Sequence, residues 1–146
     1  MKIVNYILLY GLGVMFMLSA TLKVFSFTLF SQNVKSFCFL LGMSELSEYS
    51  AQLSMLIIFV ELLSGACVFF NRTKGIAIYV FPVLLSFFTY VTLINYTSPY
   101  GSIESCGCFG ELIHFTPAES FYKNIVLLFL SILLLVCHQL TDIQKK

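Results

Sequence analysis

Lys2 and Lys23 bracket twenty uncharged residues, Ile3 to Leu22, and this run, with three others like it, limits the fold more than any motif does. At helical rise a segment of that length just crosses a hydrocarbon core of about 30 Å. Inside a bilayer only helices and closed barrels satisfy the backbone, so uncharged runs this long predict membrane helices. The first run exceeds the usual signal-peptide core of about 7–15 apolar residues, which favours a first span over a cleaved leader.

The remaining spans follow in order. A second covers about 50–70, and Glu61 is its only charge between Glu48 and Arg72. Asn71-Arg72-Thr73-Lys74-Gly75 is a tight basic turn, and the third span, about 76–96, is uncharged throughout with Pro82 early in it. Thr116-Pro117-Ala118-Glu119 reads as a capping box with proline at the first helical position, so a fourth helix should run over about 117–140. Between spans one and two, Phe30, Val34, Phe37, Cys38 and Leu41 recur at three and four residues, opposite Ser31, Gln32, Asn33, Lys35 and Ser36. That pattern predicts a short helix lying in the interface, ended by Gly42, with Ser44 as N-cap of the next helix. Gly11, Gly13 and Gly65 are expected to let neighbouring helices approach closely. The fold expected is therefore all-α, an integral membrane four-helix bundle with a short interfacial helix between spans 1 and 2, in one transmembrane domain over 1–146.

Composition agrees with that reading and removes other classes. A chain that is 59% hydrophobic and 10% charged, with mean hydropathy +0.94, lies outside the soluble globular range. Its net charge of +1 leaves no basic surface for nucleic acid. Membrane lipid is the expected surrounding partner, and the oligomeric state is not legible.

Orientation follows the basic residues. With both termini cytoplasmic, Lys2, Arg72, Lys74, Lys145 and Lys146 lie inside against Lys23, Lys35 and Lys123 outside, which favours this topology. A bacterial inner membrane is the expected location, with the segment between spans 3 and 4 on the periplasmic side. That segment, the longest polar stretch of the chain, holds Ser105-Cys106-Gly107-Cys108-Phe109-Gly110-Glu111.

Cys106 and Cys108 are the candidate chemical centre. A Cys-Gly-Cys disulfide closes a very small ring that departs from relaxed geometry, and strained disulfides are easier to reduce. Thiol–disulfide exchange is preferred on this ground over a structural disulfide or idle thiols, and over a metal site. Metal ranks last because only His114 is nearby; it reads more simply as a solvated loop histidine than as a base acting on a thiol. Of the five cysteines, Cys67 and Cys137 read as core thiols, and Cys38 as packing on an apolar face.

Most polarity inside the spans falls at one depth, below the cysteine pair. Ser19 and Lys23 share a face of the first helix, Thr89 and Thr92 one of the third, and Lys123 and Asn124 open the fourth. A polar pocket at that end of the bundle would satisfy them. Glu61 must be paired or protonated at its depth, with Lys23 and Lys123 as candidate partners, in either a structural pair or a proton-transfer role.

Several of these residues carry a family resemblance. Cys106-Gly107-Cys108-Phe109-Gly110-Glu111 followed by Phe115-Thr116-Pro117 and Ser120-Phe121-Tyr122-Lys123-Asn124 resembles the MauE/DoxX-type redox-associated membrane proteins, especially Bacteroidetes-type members of the methylamine utilisation protein MauE family. Ser19-Ala20-Thr21-Leu22-Lys23, Glu61 with Gly65, and Phe88-Thr89-Tyr90 with Thr92 are similar too. The resemblance implies a four-helix membrane bundle that helps form or maintain disulfides in a periplasmic partner, beside a thioredoxin-like protein. It carries a disulfide role onto Cys106 and Cys108 only. Vitamin K epoxide reductase-like proteins share the helix count, but this chain has Cys-x-Cys for their Cys-x-x-Cys and no second outer pair. No cofactor is evident, and quinone use is without support in the sequence. The function expected is thiol–disulfide redox chemistry on extracytoplasmic partners, with a thiol–disulfide oxidoreductase as the enzyme class if it is one. The alternatives are a membrane assembly or anchoring subunit and, third, a small-solute transporter working through Glu61.

Overall fold

The computed structural model describes residues 2–97 and 116–143. It places α1 at Lys2–Phe25, α2 at Phe27–Leu40, a 3-10 turn at Ser44–Tyr49, α3 at Ser50–Cys67, α4 at Lys74–Thr97 and α5 at Pro117–Ile143. Four segments are long and apolar enough to cross a membrane: Ile3–Phe25, Ser44–Cys67, Lys74–Thr97 and Ala118–Leu140. The protein is thus an all-α four-helix membrane bundle, with α2 as a shorter fifth helix.

Local chemistry sets the boundaries. At Ser26 the backbone leaves helical geometry (φ −109°, ψ 38°) for one residue, and α2 resumes directly. The Ser26 hydroxyl donates to the Leu22 carbonyl at 2.8 Å, so the polar group freed at the break is satisfied locally. Gly42 ends α2 with φ +71°, a left-handed conformation that glycine adopts without steric penalty. Ser44 departs from its expected role as N-cap. Met43 is the cap of the 3-10 turn, no side chain caps it, and Ser44 lies inside, with its carbonyl accepting from the Ser47 hydroxyl at 2.6 Å. The tighter 3-10 winding continues into α3, which extends that span toward the interface.

At the start of α5 the capping box forms as its sequence predicts. The Glu119 carboxylate accepts from the Thr116 backbone amide at 2.8 Å, and the Glu119 amide donates to the Thr116 hydroxyl oxygen at 3.3 Å. At the other end of the bundle, α3 stops at Cys67, earlier than the span of about 50–70 expected. The Thr73 hydroxyl donates to the Cys67 carbonyl at 2.8 Å and closes the turn into α4. Lys74 opens α4, donating to the Tyr10 hydroxyl at 2.8 Å and lying over the Tyr10 ring at 5.2 Å.

Packing pairs α1 with α3 and α4 with α5, while α3 and α4 share a smaller interface. The α1–α3 crossing is close because it is built on glycine. A Cβ added at Gly65 would fall 2.8 Å from the Gly13 carbonyl oxygen and 2.7 Å from Met17 Cγ. Gly11, expected to share this role, faces open space instead, one turn position away from the crossing. Two apolar clusters fill the interior. Leu9, Leu12, Phe16, Val68, Ala77, Ile78, Phe81, Leu85 and Leu134 lie toward the α3–α4 turn, where the Phe16 and Phe81 rings stack at 4.8 Å. Ala20, Phe30, Val34, Cys38 and Ile58 lie on the side of α2. Between the two clusters is a layer of buried polar side chains.

Candidate functional site

That layer is centred on Lys23 and Glu61. Lys23 is 1% exposed and Glu61 2%, and the Lys23 ammonium meets Glu61 Oε1 at 2.5 Å. Of the two lysines expected to compete for Glu61, Lys23 makes this contact. An ion pair so far from water is compensated only if further partners hold each charge. The Lys23 ammonium finds them in two aromatic faces, Phe88 of α4 at 4.7 Å and Phe30 of α2 at 5.3 Å. Phenyl faces carry partial negative charge and attract a desolvated cation. Three helices therefore converge on one ammonium that the fourth, α3, neutralises.

Beside the pair, α4 and α5 are joined by side-chain hydrogen bonds. Asn124 Nδ2 donates to Thr92 Oγ1 at 3.3 Å, and the Thr92 hydroxyl lies 2.9 Å from the Phe88 carbonyl, in its own preceding turn. Thr92, Asn95 and Asn124 are all buried. Lys23, Glu61, Ser19, Lys123 and Asn124 line one small cavity of about 30 Å³, room for one or two water molecules. The polar groups that line this cavity come from α1, α3 and α5, while α4 contributes Leu85 and Phe88 to it. Thr89 stands apart from it, half-buried, donating to the Leu85 carbonyl at 2.6 Å within its own helix.

The chain segment that carries the cysteine pair is attached just above this cluster. It leaves α4 at Thr97 and rejoins at Thr116, ahead of Pro117. Tyr96 and Phe121 stack across the two attachment points with ring centroids 5.8 Å apart and an interplanar angle of 4°. Thr92 and Asn124 join the same two helices about one turn deeper. Cys106, Cys108 and His114 themselves lie outside the described residues. Among the described residues, Cys38 is buried in the apolar cluster beside α2, while Cys67 and Cys137 are partly buried, and none of the three is in a disulfide.

Comparison with known proteins now adds to this geometry. The family model described as Methylamine utilisation protein MauE matches residues 1–137. The chain belongs to the MauE family. It is also similar to Protein TlpB of Flavobacterium psychrophilum, 31% identical over 128 residues that make up 82% of this chain and 33% of that one. The chain thus spans about a third of the length of this curated relative. No solved structure matches it significantly.

For a MauE-family bundle, the rings that hold Lys23 are the feature that sequence reasoning missed. Phenylalanine is among the commonest apolar residues of this chain, with sixteen in all, so nothing marks Phe30 and Phe88 as cation partners. A signal did exist for the polar seam of α5. Ser120, Asn124, Ser131 and Leu134 are buried and repeat at four, seven and three residues, one continuous helix face. On α3 the same holds for Ser50, Ser54, Ile58, Glu61 and Ser64. The small and polar side chains face inward, as expected where lipid rather than water is outside.

Proposed function

We propose that this protein carries out thiol–disulfide exchange on extracytoplasmic proteins, with Cys106 and Cys108 as the exchanging pair. The observation that carries the reading is the attachment of the Cys-Gly-Cys segment at Thr97 and Thr116, above a buried polar layer in a MauE-family membrane bundle. A two-residue spacing of thiols closes a strained ring, which suits a pair that opens and closes repeatedly. In the exchange, a partner thiolate attacks one sulfur of the Cys106–Cys108 disulfide. The S–S bond breaks, a mixed disulfide forms, and the second cysteine leaves as a thiolate. A second partner thiol then resolves the mixed disulfide, so that two electrons pass from partner to pair and the partner gains a disulfide. The reverse sequence reduces a partner.

The partner is a periplasmic protein with its own cysteine pair, of thioredoxin-like chemistry. The reading places both termini in the cytoplasm and the protein in a bacterial inner membrane. Lys23 and Glu61, with Thr92 and Asn124, act as the rigid base from which the cysteine segment is held; Thr89, Lys123 and His114 have supporting roles at most.

A second reading is favoured by one observation. In the Flavobacterium relative the matched region is a third of the chain, as it would be if the bundle served to anchor or assemble a larger protein. Single Cys106→Ser and Cys108→Ser variants separate the two. Exchange predicts that one variant accumulates a reductant-sensitive adduct with a thiol protein, seen by non-reducing electrophoresis of acid-quenched cells. Both variants free of any adduct, with unchanged membrane assembly, would favour the anchor.

A further inference from the structure

A second, apolar cleft lies between α2, the 3-10 turn, α3 and α4, and of its lining residues Phe88 also lines the cavity beside Lys23 and Glu61. We propose that this cleft seats one acyl chain of a bilayer phospholipid. The cleft arises because α1 packs on α3 and α4 on α5, leaving a smaller α3–α4 interface that α2 covers from the side. Its volume is about 270 Å³, and its walls include Phe30, Val34, Cys38, Ile57, Phe88 and Val91. The Cys38 thiol is the most polar group among the lining residues. Phe87, Met43 and Leu46 also line it and are exposed on the bundle surface, so the cleft opens sideways, toward lipid.

Two arguments select the occupant. Water needs two to four polar partners to settle in a cavity, and these walls supply almost none. A dry void of this size would forfeit packing along every wall, whereas a bilayer around the four spans supplies hydrocarbon to fill it. The chemistry of the walls then favours a hydrocarbon chain. A phosphate head group or a carbonyl-bearing ring would be desolvated without a strong hydrogen-bond donor. The volume is also slightly below the range of about 300–1,000 Å³ usual for drug-like ligands, and suits a single flexible tail.

The seated chain touches the site from behind. Phe30 and Phe88 line the cleft and are the two rings over which the Lys23 ammonium lies. An acyl chain packed against them completes the apolar wall around the buried ion pair.

The test uses the full chain in phospholipid nanodiscs containing a trace of phospholipid with a diazirine midway along one acyl chain. After irradiation, adducts are mapped by peptide mass spectrometry, with Phe129 on the outer surface of α5, 65% exposed, as internal reference. The proposal expects adducts at Val34 and Val91 severalfold above that reference. Val91→Trp should remove them while leaving the Phe129 adduct intact, and Val34→Phe, from the opposite wall, should do the same if the tryptophan variant does not fold. Adducts at Val34 and Val91 no stronger than at Phe129, or unchanged in the filled variants, would overturn it. So would displacement of the label by a polyprenol but not by added phospholipid, which would assign the cleft to an isoprenoid chain.

Discussion

Lys23 and Glu61 hold opposite charges in an interior where neither could stand alone. Removing one partner deprives the other, still buried, of its opposite charge, which typically costs about 3–5 kcal/mol. Lys23→Met and Glu61→Leu should therefore each destabilise the bundle on that scale, read as the midpoint of unfolding in mixed micelles. The double variant should recover much of the loss, since an apolar pair of similar volume needs no compensating charge. Coupling near zero between the two substitutions would contradict the pairing. Helical counting in the sequence puts Lys23 and Lys123 at similar depth, so it could name both as partners of Glu61 without choosing. The Lys23–Glu61 contact depends on how α1 crosses α3, and that crossing is close because Gly13 and Gly65 carry no Cβ.

That crossing makes Gly65 a point where two elements are interdigitated with no space to spare. Gly65→Leu should cost about 1–3 kcal/mol or more through overpacking against Met17 and the Gly13 carbonyl. Gly11→Ala places its Cβ in open space and should be neutral or stabilising by up to about 1 kcal/mol. Thermal unfolding of the two variants side by side checks both signs. At the start of α5, Thr116→Ala removes the hydroxyl of the capping box and should lower stability by about 1 kcal/mol. Elements such as this cap, the end of α2 at Gly42 and the basic turn before α4 were legible because each depends on a few adjacent residues. The faces that α3, α4 and α5 turn inward were less legible. In lipid the exterior is as apolar as the core, so hydropathy does not mark the buried side, and what does is the spacing of small and polar residues, Ser120, Asn124 and Ser131 on α5 and Ser50, Ser54, Glu61 and Ser64 on α3. The role of Ser44 was misread because its sequence context fits a cap, yet the chain enters α3 through a 3-10 turn that begins one residue earlier.

On the scale of the whole molecule, the four spans and the family follow from the sequence and are met by the structure and by the match over residues 1–137. The polar layer lies toward the end of the bundle at which the Cys-Gly-Cys segment is attached, with the two attachment helices clamped by the Tyr96–Phe121 stack. In the proposed exchange, Thr97 and Thr116 tie the thiol-bearing segment to two helices joined by the Tyr96–Phe121 stack and the Thr92–Asn124 hydrogen bond. Phe121→Ala should loosen that attachment and slow exchange while leaving the ion pair intact, visible as a lower rate of thiol turnover with the Lys23–Glu61 coupling in the double-mutant cycle unchanged. The central claim is that Cys106 and Cys108 form a reversible redox pair on the extracytoplasmic face. Labelling of intact cells with a membrane-impermeant maleimide, before and after reductant, tests it directly in a variant whose Cys38, Cys67 and Cys137 are replaced by serine or alanine. The account predicts two labelled thiols that become accessible from outside only after reduction; no labelling from outside, with or without reductant, would contradict it.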